Sequence, residues 1–167
     1  AHEGAQTRAI AFVKLDQTEG STCDGDATCR TVRTRFTYDQ YGNVTRADAN
    51  GDASISGDER SATTAYTINE TAWILNKPRL VQTLDAANTV IAQRRFYYDG
   101  AADSTLAPTK GNLTKEDEWL NIPTSQWLAT TLTFDAYGNV KTVTDALGRT
   151  TTNTYDTAGT YLTQIAN

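Results

Sequence analysis

The residues with the clearest capacity for chemistry lie between positions 48 and 59, in the stretch DANGDASISGDE. Oxygen-bearing groups recur there at the alternate positions used by calcium-binding loops, because a hard cation takes roughly six to eight oxygen ligands from a chain that wraps around it. The pattern therefore predicts a structural calcium site. Its candidate ligands are Asp48, Asn50, Asp52, the Ser54 carbonyl, Ser56 and Glu59.

The same stretch also fits a polar connection between two strands. Ala53 stands where calcium loops of this type have glycine, and a side chain at that position strains the sharp turn. The preceding residues GNVTRA have the character of a strand, whereas a helix usually flanks such a loop. Two hypotheses thus remain open, a bound calcium ion and a loop without metal.

Two cysteines, Cys23 and Cys29, flank a short polar loop in STCDGDATCRT. This spacing predicts a disulfide that clips a hairpin, and a disulfide indicates an oxidising location, either secreted or at the cell surface. The alternatives are two reduced thiols, or half of a metal site that lacks a second Cys or His pair. Asp24 and Asp26 inside the loop provide too few carboxylates for a second ion.

Groups for catalysis are scarce in this chain. His2 is the single histidine, so a Ser–His or Cys–His pair would depend on a residue close to the N-terminus. Glu116, Asp117 and Glu118, beside Trp119, are the remaining candidates for a glycosidase-like carboxylate pair. Adjacent side chains of a strand point to opposite faces, so these acids do not converge and are interpreted as a solvated strand end. The sequence predicts a protein that is not an enzyme.

Charge and hydropathy exclude two further classes of partner. The net charge is -5 and the pI about 4.8, whereas nucleic acids and anionic membranes bind basic surfaces. No apolar run approaches the roughly 18 residues of a membrane-spanning helix. We therefore expect neither nucleic-acid binding nor membrane insertion.

The tryptophans and arginines have both structural and binding interpretations. Trp73, Trp119 and Trp127 are interpreted as core or interface residues, with a sugar-binding surface as the alternative. The arginines that flank aromatic strand residues are expected on a solvated face with Asp and Glu partners. These are Arg33, Arg35, Arg94 and Arg95.

The elements that would position these residues are strands. The segment TVRTRFTYD alternates with period two, and turn motifs with glycine follow at short intervals, among them DQYGN, TKGN, DAYGN and DALGR. This pattern predicts an all-β fold, an antiparallel meander of β-hairpins. The one helical candidate is AYTINETAWILNKP, with Asn69 as its cap and its end before Pro78.

One strand–turn–strand unit occurs twice. FTYDQYGNVT at 36–45 returns as LTFDAYGNVK at 132–141. In such a unit the Asp side chain can accept backbone N–H groups two residues on, and the glycine supplies a positive φ. Looser copies contain Tyr98–Asp99 with Gly111–Asn112, and Gly148–Arg149 with Tyr155–Asp156. Recurrence of this kind indicates a repeat array whose units bury their faces against one another.

The run TFDAYGNVKTVTDALGRTTTNTYD resembles the tyrosine–aspartate (YD) repeat of rearrangement-hotspot (Rhs) proteins. This family includes the B and C components of bacterial insecticidal toxin complexes and the teneurins, and the resemblance covers roughly residues 30 to 167. The resemblance implies a β-ribbon that winds into a hollow shell, which in toxin members encloses a payload. The residues at repeat-turn positions are Tyr38, Asp39, Gly42, Asn43, Tyr98, Asp99, Gly111, Asn112, Phe134, Asp135, Gly138, Asn139, Gly148, Arg149, Tyr155 and Asp156.

We thus expect two regions, an N-terminal strand with a Cys-clipped hairpin at 1–29 and YD-repeat hairpins at 30–167. The chain is interpreted as a fragment or small relative of the family, acting as a non-catalytic structural module of a secreted or cell-surface protein. The implied partners are neighbouring YD repeats of the same or identical chains, and an enclosed toxin payload. The alternative is a calcium-stabilised binding or adhesion domain that recognises glycan or protein.

Overall fold

A computed structural model describes residues 13–23, 25, 29–121 and 125–167. Every regular element in these ranges is a β-strand. The strands are β1 (Gln17–Thr22), β2 (Arg30–Tyr38), β3 (Val44–Asp52), β4 (Arg60–Asn69), β5 (Ile74–Leu84), β6 (Val90–Tyr98), β7 (Leu113–Leu120), β8 (Gln126–Phe134), β9 (Val140–Thr144), β10 (Thr150–Tyr155) and β11 (Leu162–Ala166).

The strands form one sheet whose order follows the chain from β1 to β11. Each strand pairs antiparallel with its neighbours in sequence, for example Glu116 opposite Phe96 on one side and Thr130 on the other. Short connections favour this arrangement, since a tight turn can only join antiparallel strands. The predicted all-β hairpin meander is confirmed.

Because the chain reverses at every strand, its connections alternate between the two ends of the sheet. We call the connections at one end the first turn row. They are residues 39–43, 70–73, 99–112, 135–139 and 156–161. The second turn row, at the other end, includes residues 53–59, 85–89 and 145–149.

The sheet has a small core for its size. Among the described residues the buried hydrophobic side chains are Tyr97 and Tyr98, and Pro108 is fully buried. The accessible surface is 11826 Å², whereas a compact protein of this mass exposes about 8,000 Å². Most of the sheet is thus a single layer with two accessible faces.

The connection at 99–112 forms a local second layer. It contains the buried Pro108, and it is fastened to β4 by two side-chain hydrogen bonds. The Thr67 hydroxyl donates to the Leu106 carbonyl at 3.0 Å, and the Asn69 amide donates to the Pro108 carbonyl at 2.8 Å. This covered region brings together residues from β4, β5, β6 and the long connection.

The helix predicted within AYTINETAWILNKP is wrong, because β4 and β5 occupy this segment. Asn69 does act as a cap, accepting the Ala72 N–H at 3.0 Å, but for a single turn that ends at Trp73 with φ 55°. Pro78 lies inside β5, opposite Tyr66 at a register shift. A bulge is one of the few places in a sheet that tolerates the missing N–H of proline.

Candidate functional site

The two close copies of the turn unit have the same hydrogen bonds. Asp39 Oδ1 accepts the N–H groups of Tyr41 and Asn43, both at 2.9 Å. Asp135 Oδ1 likewise accepts the N–H groups two and four residues on, both at 2.9 Å. The aspartate thus closes the turn from inside, as expected for an Asx-type turn.

The carboxylates of these turns are held in the ionised form. Burial by itself raises the pKa of Asp39 and Asp135, but hydrogen bonds from the turn amides outweigh it and lower the pKa of both groups. Bonds donated to a charged carboxylate favour that charged form. These aspartates therefore serve as fixed acceptors for the backbone.

Asp99 performs the same role for the long connection at 99–112. Its Oδ2 accepts the N–H groups of Thr109, Lys110 and Gly111 at 2.7, 2.8 and 3.0 Å, and its Oδ1 accepts that of Asn112 at 2.9 Å. Burial raises the pKa of this carboxyl, but the four N–H groups outweigh burial and bring it to about 2. Asp99 therefore joins the two ends of the connection.

A further turn of this kind, at 85–89, was missed in the sequence. Asp85 Oδ1 accepts the N–H groups of Ala87 and Thr89 at 2.9 and 2.8 Å. Asn88 takes the place of glycine with φ 60°, a conformation that Asn tolerates better than most residues. The signal that could have found this turn is an Asp followed three residues later by Gly or Asn. This pattern does not require the tyrosine that precedes Asp in some of the other turns.

Two more turns vary the same plan. Asp145 accepts the N–H groups of Leu147 and Arg149 at 2.9 and 3.0 Å, and the Arg149 Nε donates to its Oδ2 at 2.7 Å. Asp156 accepts the N–H groups four and five residues on, at 2.6 and 3.1 Å, because its turn is one residue longer. In the turn at 145–149, Arg149 follows the glycine and bonds to the turn's aspartate, the role that Asn has in the two close copies.

Three tyrosines at strand ends donate to main-chain carbonyls in, or just ahead of, the preceding strand. The hydroxyls of Tyr38, Tyr98 and Tyr155 donate to main-chain carbonyls at 2.8, 2.8 and 3.1 Å. The acceptors are the carbonyls of Leu15, Pro78 and Val140. Burial, with the nearby Glu116, raises the pKa of Tyr98 to about 12, so this hydroxyl remains a donor. Phe134 occupies the same position and lacks the hydroxyl.

Three asparagine side chains in or beside the first turn row link successive hairpins, and we call them the inter-turn amides. Asn43 donates to the Leu75 carbonyl at 2.6 Å, and Asn139 donates to the Gly159 carbonyl at 2.8 Å. Asn69, with its bond to Pro108, is the third. Asn43 and Asn139 also donate to the aspartate of their own turn, at 2.8 and 3.0 Å. Each of these two amides therefore stabilises its own turn and binds the next hairpin.

The structure places the first residues of the predicted calcium loop in strand β3. Asp48 accepts hydrogen bonds from Arg46 at 2.7 Å and Ser61 at 2.6 Å. Burial raises its pKa, but these two partners outweigh burial and lower it. Asn50 also lies in β3, and Asp52 is its last residue. Asp48 is thus part of a polar cluster between β3 and β4.

The remaining predicted ligands lie in the connection at 53–59 or at its start. Asp52 Oδ1 accepts the N–H and hydroxyl of Ser54 at 3.0 and 2.7 Å. Glu59 accepts the Gly57 N–H at 2.7 Å, and Ser56 lies in the connection directly before Gly57. Within the described ranges no three His, Cys, Asp or Glu side chains are grouped so as to hold a metal ion. The calcium hypothesis stays a prediction.

The two cysteines lie at disulfide-bonding distance. Cys23 and Cys29 have Cα atoms 4.2 Å apart, between β1 and β2. The other predicted residues of this region, Asp24 and Asp26, lie outside the described residues, as does His2.

The acids of KEDEWL lie on both faces of β7, as expected for adjacent strand residues. The interpretation as a solvated strand end is wrong for Asp117, which is 5% exposed. Lys115, on the same face, pairs with Asp117 Oδ2 at 2.9 Å and lies 4.5 Å from the ring centre of Tyr97. Asp117 is buried because β7 lies between β6 and β8, next to the covered part of the sheet.

Comparison of the chain with models of known protein families and with curated proteins finds no match. The part of the chain that the structure describes contains no helix with the length and apolar character needed to cross a membrane. The function is therefore argued from the geometry of the turns and the sheet.

Proposed function

We propose that this chain is a non-catalytic structural module of a secreted or cell-surface YD-repeat protein. Its hairpins form part of a β-shell that encloses a toxin payload, or part of an extracellular assembly. Its partners are neighbouring repeats of the same or identical chains. The observation that carries this proposal is the set of inter-turn amides, Asn43, Asn69 and Asn139, each of which donates to a main-chain carbonyl of the next hairpin.

The inter-turn amides support stacking because they connect each hairpin to its neighbour. A typical hydrogen bond contributes about 1 kcal/mol to stability, so a row of them stabilises the array in small, local steps. Strand pairing follows the same rule, since every strand pairs only with its neighbours in sequence. Stability that depends on nearest neighbours is characteristic of repeat proteins.

The cysteine pair supports a location outside the cytosol. Cys23 and Cys29 are at bonding distance, and disulfides persist in oxidising compartments such as the extracellular space.

We also retain a structural calcium ion at 48–59 as part of the proposal. Asp48 would have to exchange its partners Arg46 and Ser61 for the ion, so a site there would be weak and filled only where calcium is abundant.

Hydrogen exchange of single amide variants tests the structural role. Asn139→Ala removes the bond to the turn after β10 and the bond to Asp135 in its own turn. We therefore expect exchange to accelerate about fivefold in β10 and β11, the equivalent of one hydrogen bond, and also in its own hairpin of β8 and β9. Asn43→Ala is expected to accelerate exchange in β4 and β5 in the same way. Asn139→Ala should leave exchange in β4 and β5 unchanged, and Asn43→Ala should leave exchange in β10 and β11 unchanged.

Asn121→Ala serves as the matched control for these variants. Asn121 follows β7 in the second turn row and is exposed, so its replacement should not alter exchange in any hairpin. If Asn139→Ala accelerated exchange equally in all strands, the sheet would unfold as one cooperative unit. That outcome would contradict an array built from neighbouring hairpins.

A binding or adhesion role is the second candidate, and exposed aromatic rings at the first turn row favour it. Trp73, Tyr137 and Tyr161 are 79%, 69% and 72% exposed. Aromatic faces of this kind can stack on sugars. Binding to a glycan array that disappears in Trp73→Ala would support this candidate, and the structural proposal expects no such binding.

A further inference from the structure

A cavity of about 420 Å³ lies where the long connection at 99–112 approaches β5 and β6. Two arginines enter it from the sheet, and polar residues of the connection form the opposite wall. The residues that matter for its chemistry are Arg79, Arg95, Tyr97, Asp103, Ser104 and Thr105. Its volume is in the range of about 300–1,000 Å³ that small-molecule sites occupy.

Arg95 differs from Arg33 and Arg94, two of the other arginines that flank aromatic strand residues. Arg33 pairs with Glu19 at 2.8 Å and Arg94 with Glu116 at 3.2 Å. Arg95 instead stacks on Trp127, its guanidinium carbon 4.0 Å from the ring centre, and no carboxylate of the described residues lies within 4.0 Å of its nitrogens. Stacking occupies the faces of a guanidinium and leaves its N–H edges for a ligand.

Arg79 reaches the same cavity because of a β-bulge. Ala65 pairs with Leu80 and the next residue, Tyr66, pairs with Pro78, so Arg79 is the extra residue of β5. Bulges redirect side chains and are common next to functional sites. Throughout the described ranges the Arg79 guanidinium has no hydrogen bond and no ion pair within 4.0 Å.

The charges around the cavity leave an excess of one positive charge. Asp103 is the carboxylate on its wall, and its Oδ1 is occupied by the N–H and hydroxyl of Thr105 at 2.7 and 2.8 Å. These two bonds, with the fields of Arg79 and Arg95, lower the pKa of Asp103. Asp117, across from Arg95 on β7, is balanced by Lys115 at 2.9 Å. Two guanidinium groups thus face one ionised carboxylate.

We propose that Arg79 and Arg95 form a binding site for a small ligand bearing a carboxylate group, from a sugar acid or a simple organic acid. Guanidinium groups bind carboxylates in a planar, bidentate geometry. A monoanion matches the excess of one positive charge, whereas a dianion such as hydrogenphosphate exceeds it and is repelled more strongly by Asp103. The hydroxyls of Ser104 and Tyr97 can contact the rest of the ligand. This site is independent of the structural role proposed above.

NMR titration of the whole 167-residue chain tests the site, with the arginine Nε–Hε signals as reporters. The probes are D-glucuronate, acetate, D-glucose and inorganic phosphate at low salt. We expect D-glucuronate to shift the Arg79 and Arg95 signals, D-glucose to leave them unchanged, and phosphate to bind more weakly. Equal affinity for acetate and D-glucuronate assigns the site to simple organic acids, and higher affinity for D-glucuronate assigns it to sugar acids.

Variants of the two arginines separate the site from non-specific binding. Arg79→Gln and Arg95→Gln are each expected to reduce the affinity about tenfold or more, the loss of one charged contact. Arg94→Gln, on the opposite face of β6, is the matched control and should keep the affinity within about twofold. Arg79→Lys keeps the charge without the planar fork, so an intermediate loss is expected even if Arg95→Gln does not fold.

Three results of the ligand titrations would each overturn the proposal. They are a lack of any shift with D-glucuronate and acetate, equal shifts with D-glucose, and tighter binding of phosphate than of D-glucuronate. An affinity that falls as much in Arg94→Gln as in Arg79→Gln would also reject it, because attraction to the general charge of the strand would then be the cause.

Discussion

At the scale of single residues, three aspartates hold the backbone of their turns. Asp39, Asp99 and Asp135 each accept several backbone N–H groups, and the pKa of each is lowered despite the opposing effect of burial. A catalytic acid requires a pKa close to the working pH. These carboxylates are tuned in the opposite direction, toward permanent ionisation.

The pH dependence of stability should reveal this use of Asp99. Its pKa is about 2 in the folded protein, below the ordinary value of 3.8. A lowered pKa stabilises the fold above pH 3.8, and this contribution is lost as the pH falls toward 2. We expect the urea midpoint to fall across that window, and Asp99→Asn to show a smaller fall, since it has already lost about 2 kcal/mol at neutral pH.

Asp16→Asn provides the control for the pH experiment, because Asp16 is an exposed carboxylate ahead of β1. This variant should retain the pH dependence of the parent chain. If Asp99→Asn had the same stability as the parent at pH 7 and the same decline below pH 4, Asp99 would not close the long connection in solution.

At the scale of elements, the turns of the first row differ in how closely they pack on each other. Gly138 and Gly159 both have positive φ, 89° and 68°. A methyl group added at Gly138 would meet nothing within 4 Å, but at Gly159 it would overlap the ring of Tyr137 from the preceding turn. The ring of one turn thus covers the backbone of the next.

A pair of glycine variants separates backbone strain from contact between turns. Gly138→Ala should reduce the free energy of unfolding by about 1 kcal/mol, the strain of the left-handed conformation. Gly159→Ala should cost more, because the ring of Tyr137 must also move. In a Tyr137→Ala background the two substitutions should cost the same, as measured by urea denaturation. A persistent difference there would show that Tyr137 does not cover Gly159.

At the scale of the whole molecule, the sheet formed by the described residues has two edges, at β1 and β11. Edge strands offer unpaired N–H and C=O groups to other chains, and proteins protect them with charged residues. β1 carries Glu19, whereas β11 is Leu-Thr-Gln-Ile-Ala, uncharged and exposed at all five positions. The β11 edge is thus the more open to a further strand.

We therefore expect association that depends on concentration and passes through β11. Gln164→Lys places a charge on this edge and should lower the weight-average mass in sedimentation experiments. Pairing with a second chain would bury the lysine charge, and this cost disfavours the pairing. Thr18→Lys on β1 is the matched control and should have little effect. Equal suppression by both variants, or a parent chain that stays monomeric at high concentration, would contradict the use of this edge.

Most of the topology could be predicted from the sequence because the signals for it are local. An Asp, a glycine with positive φ and alternating strands are all encoded within about ten residues, and short turns between strands require antiparallel neighbours. The helix predicted around Asn69 is wrong because that prediction also depended on a local signal alone. A capping side chain looks alike at a single turn and at the start of a helix, and only the pairing of β4 with β5 distinguishes them.

Sequence alone determined the order of the strands, the closing role of residues such as Asp39 and Asp135, and the antiparallel meander. Tertiary structure decided which side chains meet across turns and strands. The bond from Asn139 to Gly159 depends on the stacking of two hairpins. Arg79 and Arg95 share a cavity because a bulge redirects one and a folded-back connection covers both. The bulge in β5 sets the direction of the Arg79 side chain, and no local motif of the sequence marks that bulge.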